Sequence, residues 1–124
     1  DGDGSFFMTE NSLAVCVEEK IPVITVVLNN SSLGMVEQWQ RLFFNKRYSA
    51  VKFNSTPNII KLAEAYGVEA MRADGVDEFE KSFKYAVSSE YPTVIEVPIA
   101  PEEDVFPFVA PGTGLKDVIY NASK

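Results

Sequence analysis

Two short stretches carry the residues best suited to chemistry: Gly2-Asp3-Gly4-Ser5 near the start, and Asn29-Asn30, separated from Gly4 by 24 residues. Asp3 offers a carboxylate and Asn30 an amide oxygen. Both are hard donors of the kind Mg²⁺ takes into its octahedron together with water and phosphate oxygens. Asp3 brings one negative charge and Asn30 none, so an ion held between them stays net positive and attracts an anionic ligand such as a diphosphate. The Ser31-Ser32 loop would present a backbone carbonyl, that of Ser32, as a third protein ligand. Gly2 and Gly4 permit a sharp turn and close approach to a bulky anion, and Ser5 opens a helix whose N-terminus favours negative charge. Each piece alone can equally be a turn before a helix or an Asn-rich turn after a strand. Their pairing across one helix and one strand favours the site.

Those intervening elements must bring the two pieces together. Residues 8–19 read as a helix with Thr9 as N-cap, Glu10 in the first turn and Leu13, Ala14 and Val17 on an apolar face. Pro22 blocks continuation, and residues 23–28 read as a parallel strand buried on both faces. A helix followed by a strand running back returns the chain to its starting level. Asp3 then lies beside Asn30 on the sheet rim where open α/β sheets bind ligands. Residues 33–44 read as a helix. Its Met35 and Trp39, four apart, share a face and suit either core packing or the wall of a pocket. Residues 45–56 read as an irregular surface connection. Pro57 opens a helix through residue 66, with Gly67 as its C′ residue. A strand over 68–72, a helix capped by Asp77 through residue 88 and a strand over 93–97 follow. The order implies an α/β fold with a parallel sheet flanked by helices. Glu10, Glu37 and Glu64 read as solvated helix faces, since carboxylates are rarely buried unpaired. In the Pro-rich tail, Glu102, Glu103 and Asp104 read as solvated surface and residues 115–120 as a terminal helix.

Composition narrows the field. A chain of 124 residues holds one domain at most. A net charge of −7 without a basic cluster argues against nucleic acid and anionic membranes. The single cysteine, Cys16, excludes an intramolecular disulfide and fits a reducing cytosol, so a cytoplasmic location is expected. No histidine is present, which excludes His-based triads, histidine zinc sites and imidazole acid–base catalysis. No run is long enough to span a membrane and no signal peptide opens the chain. The start, on the metal loop with no strand before it, suggests an N-terminally truncated piece of a longer protein.

Gly2-Asp3-Gly4, the 24-residue interval and Asn29-Asn30 resemble the signature of thiamine-diphosphate-dependent enzymes. Residues 33–40 (Leu-Gly-Met-Val-Glu-Gln-Trp-Gln), 44–49 and 62–67 narrow the likeness to the large catalytic subunit of acetolactate synthase, and it runs through residues 105–112. Ser12 and Ala50 depart from it where that family usually shows glutamate and often histidine. The resemblance implies a thiamine-diphosphate-binding fold over residues 1–124, its diphosphate domain, with residues 98–124 as a tail that folds over the site as a lid through Phe106 and Phe108. It implies thiamine diphosphate and Mg²⁺ held by Gly2, Asp3, Gly4, Ser5, Asn30, Ser32, Leu33, Gly34 and Met35. Met35, Val36 and Trp39 would border the substrate, Trp39 favouring 2-ketobutyrate as second acceptor. The implied reaction condenses pyruvate with a second 2-keto acid, in branched-chain amino acid biosynthesis. The resemblance also implies FAD in the intact enzyme, a homodimer or homotetramer, and a regulatory subunit. No catalytic residue is expected within these residues, because the activating glutamate would come from the pyrimidine-binding domain of a neighbouring subunit. Two alternatives stand beside it: another thiamine-diphosphate decarboxylase or carboligase, and a non-catalytic Mg-diphosphate or nucleotide-binding module.

Overall fold

The computed structural model describes residues 1–121; the last three residues of the expected tail lie outside them. Three parallel strands, β1 (Ile24–Asn29), β2 (Glu69–Arg72) and β3 (Thr93–Pro98), form a sheet in the order β1-β3-β2. The register pairs Val27 and Arg72 with Glu96, and Asn29 with Pro98. Gly2 bridges Leu28 in parallel, and the Leu28 N–H donates to Asp1 O at 2.7 Å, so the first two residues run alongside β1.

Helices cover both faces, as parallel sheets require. On one face α1 (Asp3–Thr9), α2 (Ser12–Glu18) and α4 (Ile59–Ala65) bury Phe6, Leu13, Ile59 and Ala63 against Val27, Val94 and Ala70. On the other, α5 (Val76–Ser88) sets Phe79 and Ala86 against Ile24, Ile95, Met71 and Val97. Central β3 is buried from Thr93 to Glu96, whereas β1 leaves Leu28 exposed. The expectation of a first strand buried on both faces therefore holds for β3 and not for β1, which lies towards the sheet's edge.

Several boundaries differ from the sequence reading, each for a local reason. The first helix is two: α1 starts five residues earlier, at Asp3, and the chain breaks at Glu10–Asn11 before α2. Thr9 closes α1 instead of capping its start, its hydroxyl donating to Ser5 O at 3.1 Å. Asp3, Gly4 and Ser5 look like turn residues, yet burial of Asp3, Gly4 and Phe6 draws them into helix. Helix α4 begins after Asn58, whose side chain accepts from the Lys61 N–H at 2.8 Å, so the cap is Asn58 and Pro57 precedes it. At its end Gly67 (φ +84°) donates to Glu64 O and Val68 to Ala63 O, the Schellman pair expected of a C′ glycine. Gly75 rather than Asp77 precedes α5. Asp77 instead places its charge in the first turn, favourably for the helix dipole. Residues 115–120 make only a 3₁₀ turn (Leu115–Asp117), after which Ile119 pairs with Phe108.

Between β1 and α4 lies α3 (Gly34–Phe43), and its amphipathicity is inverted. Its buried residues are Glu37 and Gln38, while Met35, Val36, Trp39 and Phe43 are exposed. Glu37, expected on a solvated face, is 5% exposed because the Ser32 hydroxyl and the Lys52 ammonium (3.2 Å) partner it.

Candidate functional site

The loop after β1 is built from two successive Asx turns. Asn29 Oδ1 accepts from the Ser31 N–H at 3.0 Å, and Asn30 Oδ1 accepts from the Ser32 N–H at 3.2 Å. Ser31 takes φ +55°, which tightens the turn. Asp3 faces this loop, near enough that the backbone N–H groups of Gly4, Ser31 and Ser32, with its own, act on its carboxyl. Asp3 is 2% exposed, and burial raises its pKa above the ordinary value, partly countered by those N–H donors. The chain thus spends a buried carboxylate on a position against the 29–32 loop, where it has no side-chain cation to pair with among the described residues.

A cleft of about 470 Å³ opens over this junction. Gly2, Asp3, Gly4, Ser5, Asn30 and Ser32 line its floor; Leu33, Gly34, Met35 and Val36 line the wall that leads into α3. The remaining wall comes from Met8, Leu28, Gln38, Ile99, Glu103 and Val105. Trp39 does not border the cleft. It stands 37% exposed one turn beyond Met35, edge-on to Phe43. Neither it nor Met35 is core.

The loop is strapped from behind. Leu33 N–H donates to Val51 O (2.8 Å), Phe53 N–H donates to Ser31 O (2.9 Å), and Ser32 bridges Lys52 in antiparallel fashion. The Ser32 hydroxyl is shared between Glu37 and Val51 O (3.1 Å). Burial pushes the Glu37 carboxyl up, but the Ser32 hydroxyl and Lys52 outweigh it and hold it below the usual carboxylate range. The connection 45–56, read from sequence as plain surface, supplies this strap.

The tail crosses α3 and closes one side of the cleft. Gln38, 2% exposed, donates to Val105 O (3.0 Å) and accepts from Val105 N–H (3.2 Å). Asp104 pairs with Arg41, so this acid is not the solvated surface expected of it, and Phe108 meets Phe43 edge-on. Glu102 is exposed as expected, and Glu103 is exposed at the cleft's rim.

These donors fit a magnesium–diphosphate unit. They are hard oxygens with a single carboxylate among them, and no group of three His, Cys, Asp or Glu side chains forms a rival metal site among the described residues. Glycine at two positions lets the elements around the cleft pack closely: a Cβ on Gly4 would come within 2.6 Å of Leu33 Cδ2, and one on Gly34 within 2.8 Å of Asn30 Nδ2. The first bond within α3 runs from Glu37 N–H to Leu33 O, which leaves the N–H groups of Gly34, Met35 and Val36 ahead of it for an anion. The mainly apolar upper wall suits the body of a larger cofactor.

The sequence reading missed Glu96, which accepts from Asn29 Nδ2 at 2.7 Å and is 5% exposed. The available signal was a lone carboxylate inside the apolar run Thr93-Val-Ile-Glu-Val97.

The family described as thiamine pyrophosphate enzyme, C-terminal TPP binding domain, matches residues 1–97. Acetolactate synthase, mitochondrial, of Schizosaccharomyces pombe is 42% identical over 123 residues, 99% of this chain and 18% of that protein. The probable acetolactate synthase large subunit of Methanocaldococcus jannaschii is 40% identical over 118 residues, 95% of this chain and 20% of that protein. Among solved structures, benzoylformate decarboxylase from Polynucleobacter necessarius superposes with a TM-score of 0.77 at 28% identity, covering 84% of this chain and 20% of that one. The chain thus spans about a fifth of the length of these relatives.

Proposed function

We propose that this chain, which belongs to the thiamine pyrophosphate enzymes as their C-terminal TPP-binding domain, grips the Mg²⁺-diphosphate end of the cofactor in an acetolactate synthase that condenses pyruvate with a second 2-keto acid. The observation that carries the reading is the buried Asp3 carboxylate, without a cationic partner among the described residues, lining one cleft with Asn30 and Ser32. Asp3, Asn30 Oδ1 and the Ser32 carbonyl would hold the ion. The free N–H groups at the start of α3 would take diphosphate oxygens. When bound, thiamine diphosphate supplies the electron sink for decarboxylation and carbon–carbon bond formation.

The chain's own residues then bind, orient and exclude water. Leu33 and Met35 would pack on the body of the cofactor; Met35 and Val36, with Trp39 one turn beyond the cleft, would meet the second 2-keto acid where it projects past the cofactor. The tail, pinned by Gln38 and Arg41, would act as the lid on this side. Of the carboxylates that line the cleft, Asp3 would serve the ion and Glu103 is exposed; the activating glutamate would come from another domain. The outward apolar face of α3 supports that arrangement, since it offers a second surface something to cover.

Calorimetric titration of Mg²⁺ with thiamine diphosphate into the intact protein tests the grip. Asp3→Ala abolishes magnesium-dependent retention of the cofactor; unchanged affinity overturns the metal assignment. The structural likeness to benzoylformate decarboxylase keeps a decarboxylase as the second reading, and product analysis with pyruvate alone separates the two.

A further inference from the structure

Glu96 lies on the central strand, on the same face of the sheet as Asn29 and Arg72, and the three side chains form a diagonal across all three strands. Arg72 Nη1 approaches Glu96 Oε1 at 3.4 Å, and Asn29 Nδ2 donates to the same oxygen at 2.7 Å. Asn29 is thereby held with its amide nitrogen towards the sheet and its Oδ1 towards the loop. That orientation is the one the loop needs, because Oδ1 accepts the Ser31 N–H and takes the Ser31 hydroxyl at 3.3 Å. A flipped amide would set an NH₂ against the Ser31 N–H, two donors facing each other. Asn30 and Ser32, on the same loop, line one cleft with Asp3. Glu96 and Asn29 stand 67 positions apart in sequence, so only the parallel pairing of β1 with β3 makes the link.

We propose that Glu96 is a positioning residue for the cation loop, acting through Asn29: it fixes the amide orientation that shapes residues 29–32 and so the placement of Asn30 and Ser32 against Asp3. The proposal rests on the reading of that loop as the Mg²⁺-diphosphate grip. A buried carboxylate on the central strand, used to orient one amide, is the arrangement by which outer groups set the geometry of metal ligands, where their loss typically costs about 10–100-fold in metal affinity.

The test reverses the polarity of one hydrogen bond without changing side-chain size. Mg²⁺ is titrated calorimetrically, with thiamine diphosphate present, into the intact protein and three variants. Asn29→Asp sets two carboxylates against each other and weakens Mg²⁺ binding at least tenfold. Glu96→Gln keeps an acceptor oxygen for Asn29 and changes affinity by less than threefold. The double variant rebuilds the bond in reverse, the Gln amide donating to the Asp carboxylate while its second oxygen still takes the Ser31 N–H, and returns affinity to within threefold of the parent. A double variant as weak as Asn29→Asp, or an Asn29→Asp variant that binds normally, overturns the role of Glu96. Asp3→Ala serves as the separate control: unchanged affinity there removes the underlying reading, whereas loss there without rescue in the double variant removes only the role of Glu96.

Discussion

Gly34→Ala should separate the fold from the site. A Cβ at this position would sit 2.8 Å from Asn30 Nδ2, whereas ordinary contact begins at 3.4 Å, so the amide must retreat by about 0.6 Å. The atom met is the far end of a side chain, with Asn30 Cγ next at 3.9 Å, so the backbone need not move. Gly34 opens α3, and alanine gains up to about 1 kcal/mol over glycine in a helix. Stability should therefore hold or rise slightly. Magnesium is less forgiving: its oxygens lie at about 2.0–2.1 Å in a near-ideal octahedron, and ligand distances tolerate about 0.2 Å. A ligand displaced by three times that tolerance should weaken Mg²⁺ binding about 10–100-fold, on the scale of 1.4–2.7 kcal/mol. Thermal denaturation and calorimetric Mg²⁺ titration with thiamine diphosphate, run on the same intact variant, measure both sides. Unchanged Mg²⁺ affinity would show that Asn30 is not a ligand. A Tm lowered by several degrees would show that the clash falls on the fold instead.

Trp39→Leu should shift products towards acetolactate when pyruvate and 2-ketobutyrate compete, because a smaller side chain loses contact with the longer acceptor; an unaltered ratio returns Trp39 to a packing role with Phe43. Glu37→Gln should cost about 1 kcal/mol at neutral pH, charge-assisted hydrogen bonds being roughly twice as strong as neutral ones. The folded-state pKa of Glu37 lies below its ordinary 4.5, so its contribution is present above that value and lost as pH falls through the lowered one. The stability gap between parent and variant should close accordingly on acidification, and a gap unchanged well below pH 4.5 contradicts the pairing. Gln38→Ala removes two hydrogen bonds to Val105, whose freed backbone water can solvate. Cleavage within residues 99–110 in limited proteolysis should quicken severalfold with little change in Tm, and equal cleavage rates would show that the tail is held by Arg41 and the phenylalanines alone.

The sequence by itself determined the strand–helix alternation, the parallel sheet, the C′ glycine at residue 67 and the pairing of Asp3 with the Asn29-Asn30 loop. These follow from short-range signals: apolar runs, turn chemistry and one helix-length interval that returns the chain to its starting level. Only the tertiary structure decided which charges go inside. Glu37 and Asp104 look like solvated carboxylates locally and Glu96 stands alone in an apolar run, yet each is buried or half-buried by a partner. Two of those partners lie more than sixty positions away: Asn29 for Glu96 and Arg41 for Asp104. Burying a carboxylate is unfavourable until its partner arrives, and the partner arrives only when β1 lies beside β3 and the tail crosses α3. The apolar outside of α3 has the same origin, because helical spacing marks a face as apolar without saying whether this chain or another surface will cover it.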